Sequence, residues 1–398
     1  MDSIPTAPRP QRGFVPEIDA LRCFALTAIV LLHSNVVASG WGALWLFFVI
    51  SGFVITRSIL EHPERRPTRT AFLLGFVRRR AARILPVYVL YLSIVGGLGL
   101  LDPGSRFPEA LPFLATFTYN LAGLHDPALF KVGGVGHLWS LSLEEQFYLL
   151  LPLVFAVVAP RRVVVLLLAV VALSPLIRWG ESQWLGALGV PEEMRALGVF
   201  MLSPGQFDGF AAGALVAIAA HERAVTPRLA WTAVLLAVTA AALYLVVYWD
   251  HAGTPRLGLA IGAGREAIVY SVLILAAVAT ILAILARLPP IVWMCRPLVV
   301  RYIGRISYGG YVYHALALFA AMIALPGWIA GSPLQRLAVF AIGYTLTIAL
   351  AALSFHLFER RFLDGPLGRP LRPAVAAPDA IAAGLAAPAV AGSDGRDA

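Results

Sequence analysis

Charged residues are scarce in this chain. Only 13% of its 398 residues are Asp, Glu, Lys or Arg, and 59% are hydrophobic; soluble domains carry roughly 25% charged and about 45–50% apolar residues. No ordinary core hides that much apolar surface, so a soluble enzyme is excluded, and so is intrinsic disorder, which requires few apolar side chains. Cysteine is scarce too. Cys23 and Cys295 cannot build a disulfide scaffold, and no CxxC or His/Cys cluster has the spacing of a metal site, so no metal is expected. Lysine is nearly missing, Lys131 being the single one. Two larger features are lacking as well. No loop is long enough to bury a soluble core of its own, and no internal repeat is evident, which counts against transporters assembled from inverted repeats.

What the chain does have is arginine in an apolar background. Its formal net charge is +9 and its pI about 9.9, a balance that in a polar protein would suggest nucleic acid. At a mean hydropathy of +0.80 the arginines instead report which side of a membrane each loop occupies, and no nucleic-acid partner is expected. A bilayer core takes about 20 apolar residues per helix. Windows of that kind cover 18–37, 43–60, 85–101, 138–159, 162–179, 201–220, 229–249, 266–286, 306–326 and 335–358. They predict an all-α, polytopic membrane protein with about ten transmembrane helices. The segment Phe107–Leu124 is apolar but broken by Pro108 and Pro112, and reads as a re-entrant or partly buried stretch. With the N-terminus inside, most arginines fall on cytoplasmic loops; Arg178 is among the few placed outside. A full crossing by Phe107–Leu124 would invert every later loop and destroy that bias, so both termini are expected in the cytoplasm. The first window holds polar residues that a cleaved leader would not need. Despite the cleavage-like Val37-Ala38-Ser39-Gly40, it therefore reads as a retained helix. Residues 1–17 form a polar cytoplasmic tail, 18–362 the membrane domain, and 363–398 an Ala/Pro-rich tail without periodicity, expected to be disordered.

Ionisable side chains inside spans are costly and mark function by default. Arg22 and His33 are separated by about three turns plus roughly 20°, so they share a helix face about 16 Å apart along its axis. An Asp19–Arg22 pair and a histidine satisfied by a neighbouring helix would account for them structurally. Ser51-Gly52 lets a ligand or another backbone come close, and small-residue helix packing has the same signature. Arg79, Arg80 and Arg83 sit at the cytoplasmic end of the third span. Their guanidinium forks suit phosphate oxygens and anionic lipid headgroups alike. In the fourth span His137, Ser140, Glu144 and Tyr148 form one polar stripe, with Glu145 pointing about 100° away. Two adjacent acids beside Gln146 are too costly for packing alone. Ser307, Tyr311 and His314 share a face of the ninth span. Asp208 is a weaker candidate, and Glu359 with Arg360 and Arg361 reads as an interfacial anchor.

Five of these stretches occur in the order of a known set. Ile18-Asp19-Ala20-Leu21-Arg22 leading to His33, Phe47 through Phe53, Arg79 through Pro86, His137 through Tyr148, and Tyr302 through Tyr308 leading to His314 resemble the motifs of acyltransferase family 3, multi-pass membrane O-acyltransferases. The resemblance runs from about Phe14 to Phe362. It departs at Arg361, where the family often has proline, and at Gln206-Phe207-Asp208, where an arginine is common. The resemblance implies acyl-CoA, usually acetyl-CoA, as a donor substrate, with no permanently bound cofactor. It implies a hydroxyl of a carbohydrate or glycoside as acceptor, and membrane lipid as the surroundings. It assigns Arg22, Ser51, Gly52, Arg79, Arg80 and Arg83 to the donor. His33 becomes general base or acyl relay, with His137 and Glu144 catalytic beside it. Trp139, Ser140, Tyr148 and His314 are left for the acceptor. The alternatives are a transporter or flippase, and a non-catalytic relative.

Overall fold

A computed structural model describes residues 15–61, 68–248, 264–325 and 331–365. Most of both expected tails lies outside these residues, as do the arginines they carry and the last positions of the windows 229–249 and 306–326. Among the described residues there are helices and turns and no strand. The longer helices are α1 (Pro16–His33), α2 (Ala43–Leu60), α3 (Arg69–Gly99), α4 (Phe107–Ala115), α5 (Trp139–Val157) and α6 (Pro160–Ala187). They continue with α7 (Glu192–Met201), α8 (Asp208–Glu222), α9 (Pro227–Val247), α10 (Arg265–Leu285), α11 (Leu298–Arg305), α12 (Ser307–Ala324) and α13 (Pro333–Ser354).

Each apolar window of the sequence falls on one of these helices. Seven are long and apolar enough to cross a membrane, or eight if the bent pair α11–α12, which turns through 78°, is one span. The other two windows became α1, whose eighteen residues include Glu17, Asp19 and Arg22, and α8, which is fifteen residues long. The boundaries follow local chemistry. α1, α6, α9 and α13 start with proline in the first turn, where its missing N–H is no loss. Thr68 caps α3 by accepting from the Ala71 N–H at 3.1 Å, and Ser332 with Gln335 forms a reciprocal cap on α13.

Two helices are longer than their windows. α3 starts at Arg69, far ahead of residue 85, because arginine is a good helix former even where it ends an apolar run. α6 continues past Arg178 to Ala187. Arg178, expected in a loop outside the membrane, lies within this helix and is fully buried in the protein. Its guanidinium donates to Asp208 and to the Gly205 carbonyl, both at 2.7 Å, to Ser271 at 2.8 Å and to the Ala267 carbonyl at 3.0 Å. A buried charge is tolerated when it is paired and hydrogen-bonded in this way. The knot ties α6, α8 and α10 together. Beside it Trp45 stacks on Tyr270 at 4.6 Å, and Phe210 stacks on Phe48 and Phe147 at 4.5 and 4.7 Å.

Close helix crossings use glycine. A Cβ on Gly52 would stand 1.9 Å from the Phe210 carbonyl oxygen, and one on Gly213 2.0 Å from that of Val49, so α2 and α8 touch backbone to backbone. Gly304 of α11 lies against α1 in the same way, its Cβ position 1.6 Å from the Asp19 oxygen. The segment Phe107–Leu124 holds no helix long enough to cross. α4 is nine residues, about 14 Å, and the backbone after it is tied to α5 by Gln146, which donates to the Phe117 carbonyl at 2.9 Å and to Asn120 at 2.8 Å. Its entry is clamped by Arg106, which pairs with Glu109 and, at 2.7 Å, with Asp126. Arg106 holds the Glu109 carboxyl below its ordinary range; the Ala128 N–H and then Arg106 do the same for Asp126. Glu359, expected as an interfacial anchor, is buried and accepts from Ser354 at 2.9 Å.

Candidate functional site

Two cavities lie on either side of a partition. The first is narrow, about 80 Å³. α1 supplies Arg22, α3 supplies Arg80 and Arg83 three residues apart on one face, and α5 supplies Glu144, Glu145 and Tyr148. Arg22 donates to Asp19 at 2.8 Å. The Arg80 guanidinium sits 5.6 Å over the Phe76 ring and 5.2 Å over that of Tyr148, a cation–π arrangement that fixes a long side chain. Glu144 accepts from the hydroxyls of Ser51 and Tyr148, and Tyr148 is also 3.1 Å from Ser51. The cavity therefore holds three guanidinium groups and two carboxyls.

The second cavity is about 1010 Å³. At its base three histidines from three parts of the chain meet. His33 is the last residue of α1, His137 stands in the turn ahead of α5, and His314 is in the middle of α12. The His314 ring lies 5.1 Å from His33 and 4.7 Å from His137. His137 Nε2 is 3.1 Å from the Val312 carbonyl and His314 Nδ1 is 2.5 Å from that of Tyr311. A carbonyl only accepts, so these nitrogens carry the hydrogen, which leaves Nδ1 of His137 and Nε2 of His314 as the basic positions. His33 makes no hydrogen bond among the described residues and is exposed to the cavity.

Leu44 and Tyr311 line both cavities and form the partition. The Tyr311 hydroxyl is 2.9 Å from the His137 carbonyl and 2.5 Å from the Ser140 hydroxyl. A phenol has one hydrogen; given to the carbonyl, it leaves the Tyr311 oxygen to accept from Ser140.

The residues singled out in the sequence divide between these spaces. Arg22, Ser51, Arg80, Arg83, Ser140, Glu144 and Tyr148 line the narrow cavity; His33, His137, Trp139 and His314 line the wide one. Glu144 is thus with the arginines and away from the histidines. Ser140 and Tyr148, expected beside an acceptor, are on the arginine side. Arg79 lines neither cavity, although it stands one helical turn from Arg83 on the same side of α3. Gly52 also lines neither; its place is the crossing with α8, the packing reading of the Ser51-Gly52 pair. Tyr311 is the residue that sequence reasoning undervalued. Its spacing with Ser307 and His314 showed a polar face, but nothing in the spacing shows that the face meets His137.

Residues 15–356 match the family model described as an acyltransferase domain. The O-acetyltransferase OatA of Staphylococcus aureus strain NCTC 8325 / PS 47 is 31% identical over 157 residues, which are 37% of this chain and 26% of that protein. A putative O-acetyltransferase of S. aureus strain COL is 31% identical over 150 residues, 35% of this chain and 24% of the relative. The matched stretch is thus about a quarter of these relatives' length. No solved structure matches.

Proposed function

The chain belongs to acyltransferase family 3, and from that premise we propose that it is a membrane O-acyltransferase. It moves an acyl group, acetyl in the first instance, from acyl-CoA to a hydroxyl of a carbohydrate or glycosylated acceptor. The observation that carries this reading is the pair of cavities meeting at Leu44 and Tyr311, with guanidinium groups on one side and imidazoles on the other. Guanidinium forks take phosphate oxygens bidentately, so Arg22, Arg80 and Arg83 hold the donor's phosphates on the cytoplasmic side. At about 80 Å³ the arginine cavity is far below the roughly 300 Å³ of a small-molecule site, so donor binding requires these side chains to part. The pantetheine arm then runs along α1, the roughly 16 Å between Arg22 and His33 suiting its extended form, and passes Tyr311 into the histidine cavity.

There His33, with no competing hydrogen bond, accepts the acceptor's hydroxyl proton as that oxygen attacks the thioester carbonyl. The carbon–sulfur bond breaks, and the thiolate leaves and takes the proton from the imidazolium, so the imidazole ends neutral. His137 and His314, each with one nitrogen committed to a carbonyl, orient the acceptor and the His33 ring. Loss of a general base costs typically 10²–10⁴-fold. Accordingly, His33→Ala and Arg22→Ala should each abolish incorporation of radiolabelled acetyl from acetyl-CoA in isolated membranes at unchanged protein abundance. Full activity in His33→Ala would sink the assignment. Two stacked cavities closed by a tyrosine would also fit a transporter; release of free CoA during turnover separates the two, since transport consumes no thioester.

A further inference from the structure

The histidine cavity is larger and more apolar than a sugar needs. We propose that its acceptor is amphipathic: a glycoside whose sugar hydroxyl meets the histidines while a bulky apolar group fills the rest of the cavity and reaches it from the bilayer. This rests on the acyl-transfer reading above and narrows its acceptor class.

The first observation is size. At about 1010 Å³ the cavity is at the top of the roughly 300–1,000 Å³ range of small-molecule sites, and one sugar ring fills only part of it. The second is the wall. Away from the histidines it is built of Ile29, Leu32, Leu197, Phe200, Leu318 and Met322. Such a wall offers a polymer of hydroxyls no hydrogen bonds, and each polar group buried without a partner is penalised. Besides the histidines and Tyr311, the polar groups lining the cavity are the indole N–H groups of Trp41 and Trp139 and the side chains of Asn35, Glu192 and Arg265, and Asn35 and Glu192 are exposed.

The third observation is the side opening. Phe319 lines the cavity and is 59% exposed, with Ile323 one turn further on 66% exposed. Phe319 stands about 18 Å along α12 from its start, inside the roughly 30 Å of a hydrocarbon core. On this proposal the exposed side of the cavity at Phe319 meets the bilayer. An acceptor carrying an apolar moiety can enter there without leaving the membrane; a hydrated polysaccharide cannot.

The test uses the full chain in nanodiscs with radiolabelled acetyl-CoA. Acceptors are the methyl, octyl and hexadecyl glycosides of glucose, galactose, mannose and rhamnose, with dextran as the polymer. The octyl or hexadecyl glycoside of the accepted sugar should exceed its methyl glycoside at least tenfold in kcat/KM. Phe319→Gln and Leu197→Trp, which alter the apolar wall, should each reduce that preference at least fivefold. Preference for the hexadecyl compound alone identifies a bilayer-borne acceptor, and equal use of the octyl compound a soluble glycoside with an apolar aglycone; both uphold the proposal. Equal use of methyl and alkyl glycosides, or better use of dextran, overturns it while leaving acyl transfer intact. Release of no CoA with any acceptor overturns the acyl-transfer reading itself.

Discussion

Tyr311 connects the two cavities through one hydroxyl group. Its ring is part of the partition, and its oxygen joins Ser140 to the backbone of His137. Tyr311→Phe keeps the ring and removes both hydrogen bonds. A neutral hydrogen bond nets about 0.5–1.5 kcal/mol, so kcat for acetyl transfer should fall roughly 2- to 10-fold per bond, with KM for acetyl-CoA unchanged. A raised KM with an unchanged kcat would instead mean that the hydroxyl touches the donor. Arg178 illustrates the opposite case, a buried charge with no opening onto either cavity. Arg178→Met leaves Asp208 unpaired in the interior, a loss of about 3–5 kcal/mol, and should remove most folded protein from membranes. The double variant Arg178→Met/Asp208→Leu, which leaves no charge behind, should recover much of that loss in detergent melting curves. The sequence makes Arg22 and His33 legible because an ionisable residue stands out in an apolar helix. It hides the partners of Tyr311 and Arg178, because Ser140 is 171 positions from Tyr311 and Ser271 is 93 from Arg178.

Two close helix crossings, α2 on α8 and α11 on α1, are set by glycine. Where a Cβ would stand 1.6 Å from the Asp19 oxygen, Gly304→Ala must push α11 off α1. Overpacking of this kind costs about 1–3 kcal/mol, and it falls on the turn of α1 where Asp19 braces Arg22. The melting temperature should drop and KM for acetyl-CoA should rise together. Gly97→Ala is the control: nothing lies within 4 Å of its added Cβ, and alanine favours the helix interior by roughly 1 kcal/mol, so stability should rise slightly with kinetics untouched. If Gly304→Ala lowered the melting temperature with KM constant, α11 would be shown to support α1 without positioning Arg22. At this scale the apolar windows located every helix of fifteen or more residues among the described residues. Their ends were less legible, since hydropathy falls at Arg69–Arg83 and at Arg178 while the backbone stays helical through both.

The two cavities are arranged along the bundle, and their order relative to the membrane decides what the protein can do. α5 and α6 are both long enough to cross, whereas α4 is not, so a crossing by both would put the turns near Leu101 and Leu188 on one side. The positive-inside rule, with α8 as a further crossing, predicts Arg223 and Asp364 at the opposite, arginine-rich end. Leu101 and Leu188 are 81% and 61% exposed, and the native Cys23 and Cys295 are buried, so single cysteines introduced at these positions report sidedness cleanly. Leu101→Cys and Leu188→Cys should react with a membrane-impermeant maleimide in intact cells. Arg223→Cys and Asp364→Cys should react only after permeabilisation. A full crossing by Phe107–Leu124 would place Leu101 and Leu188 on opposite sides, and the positive-inside bias would fail with it. The labelling also bears on chemistry. If Arg223 labels from outside, then Arg22, Arg80 and Arg83 face away from the cytoplasm, where acyl-CoA is made, and a donor role for them cannot stand. If it labels from inside, the arginine cavity opens to the donor pool while the histidine cavity lies toward the far face. The acyl group then crosses most of the membrane attached to its carrier, and the partition at Tyr311 is the one point it must pass.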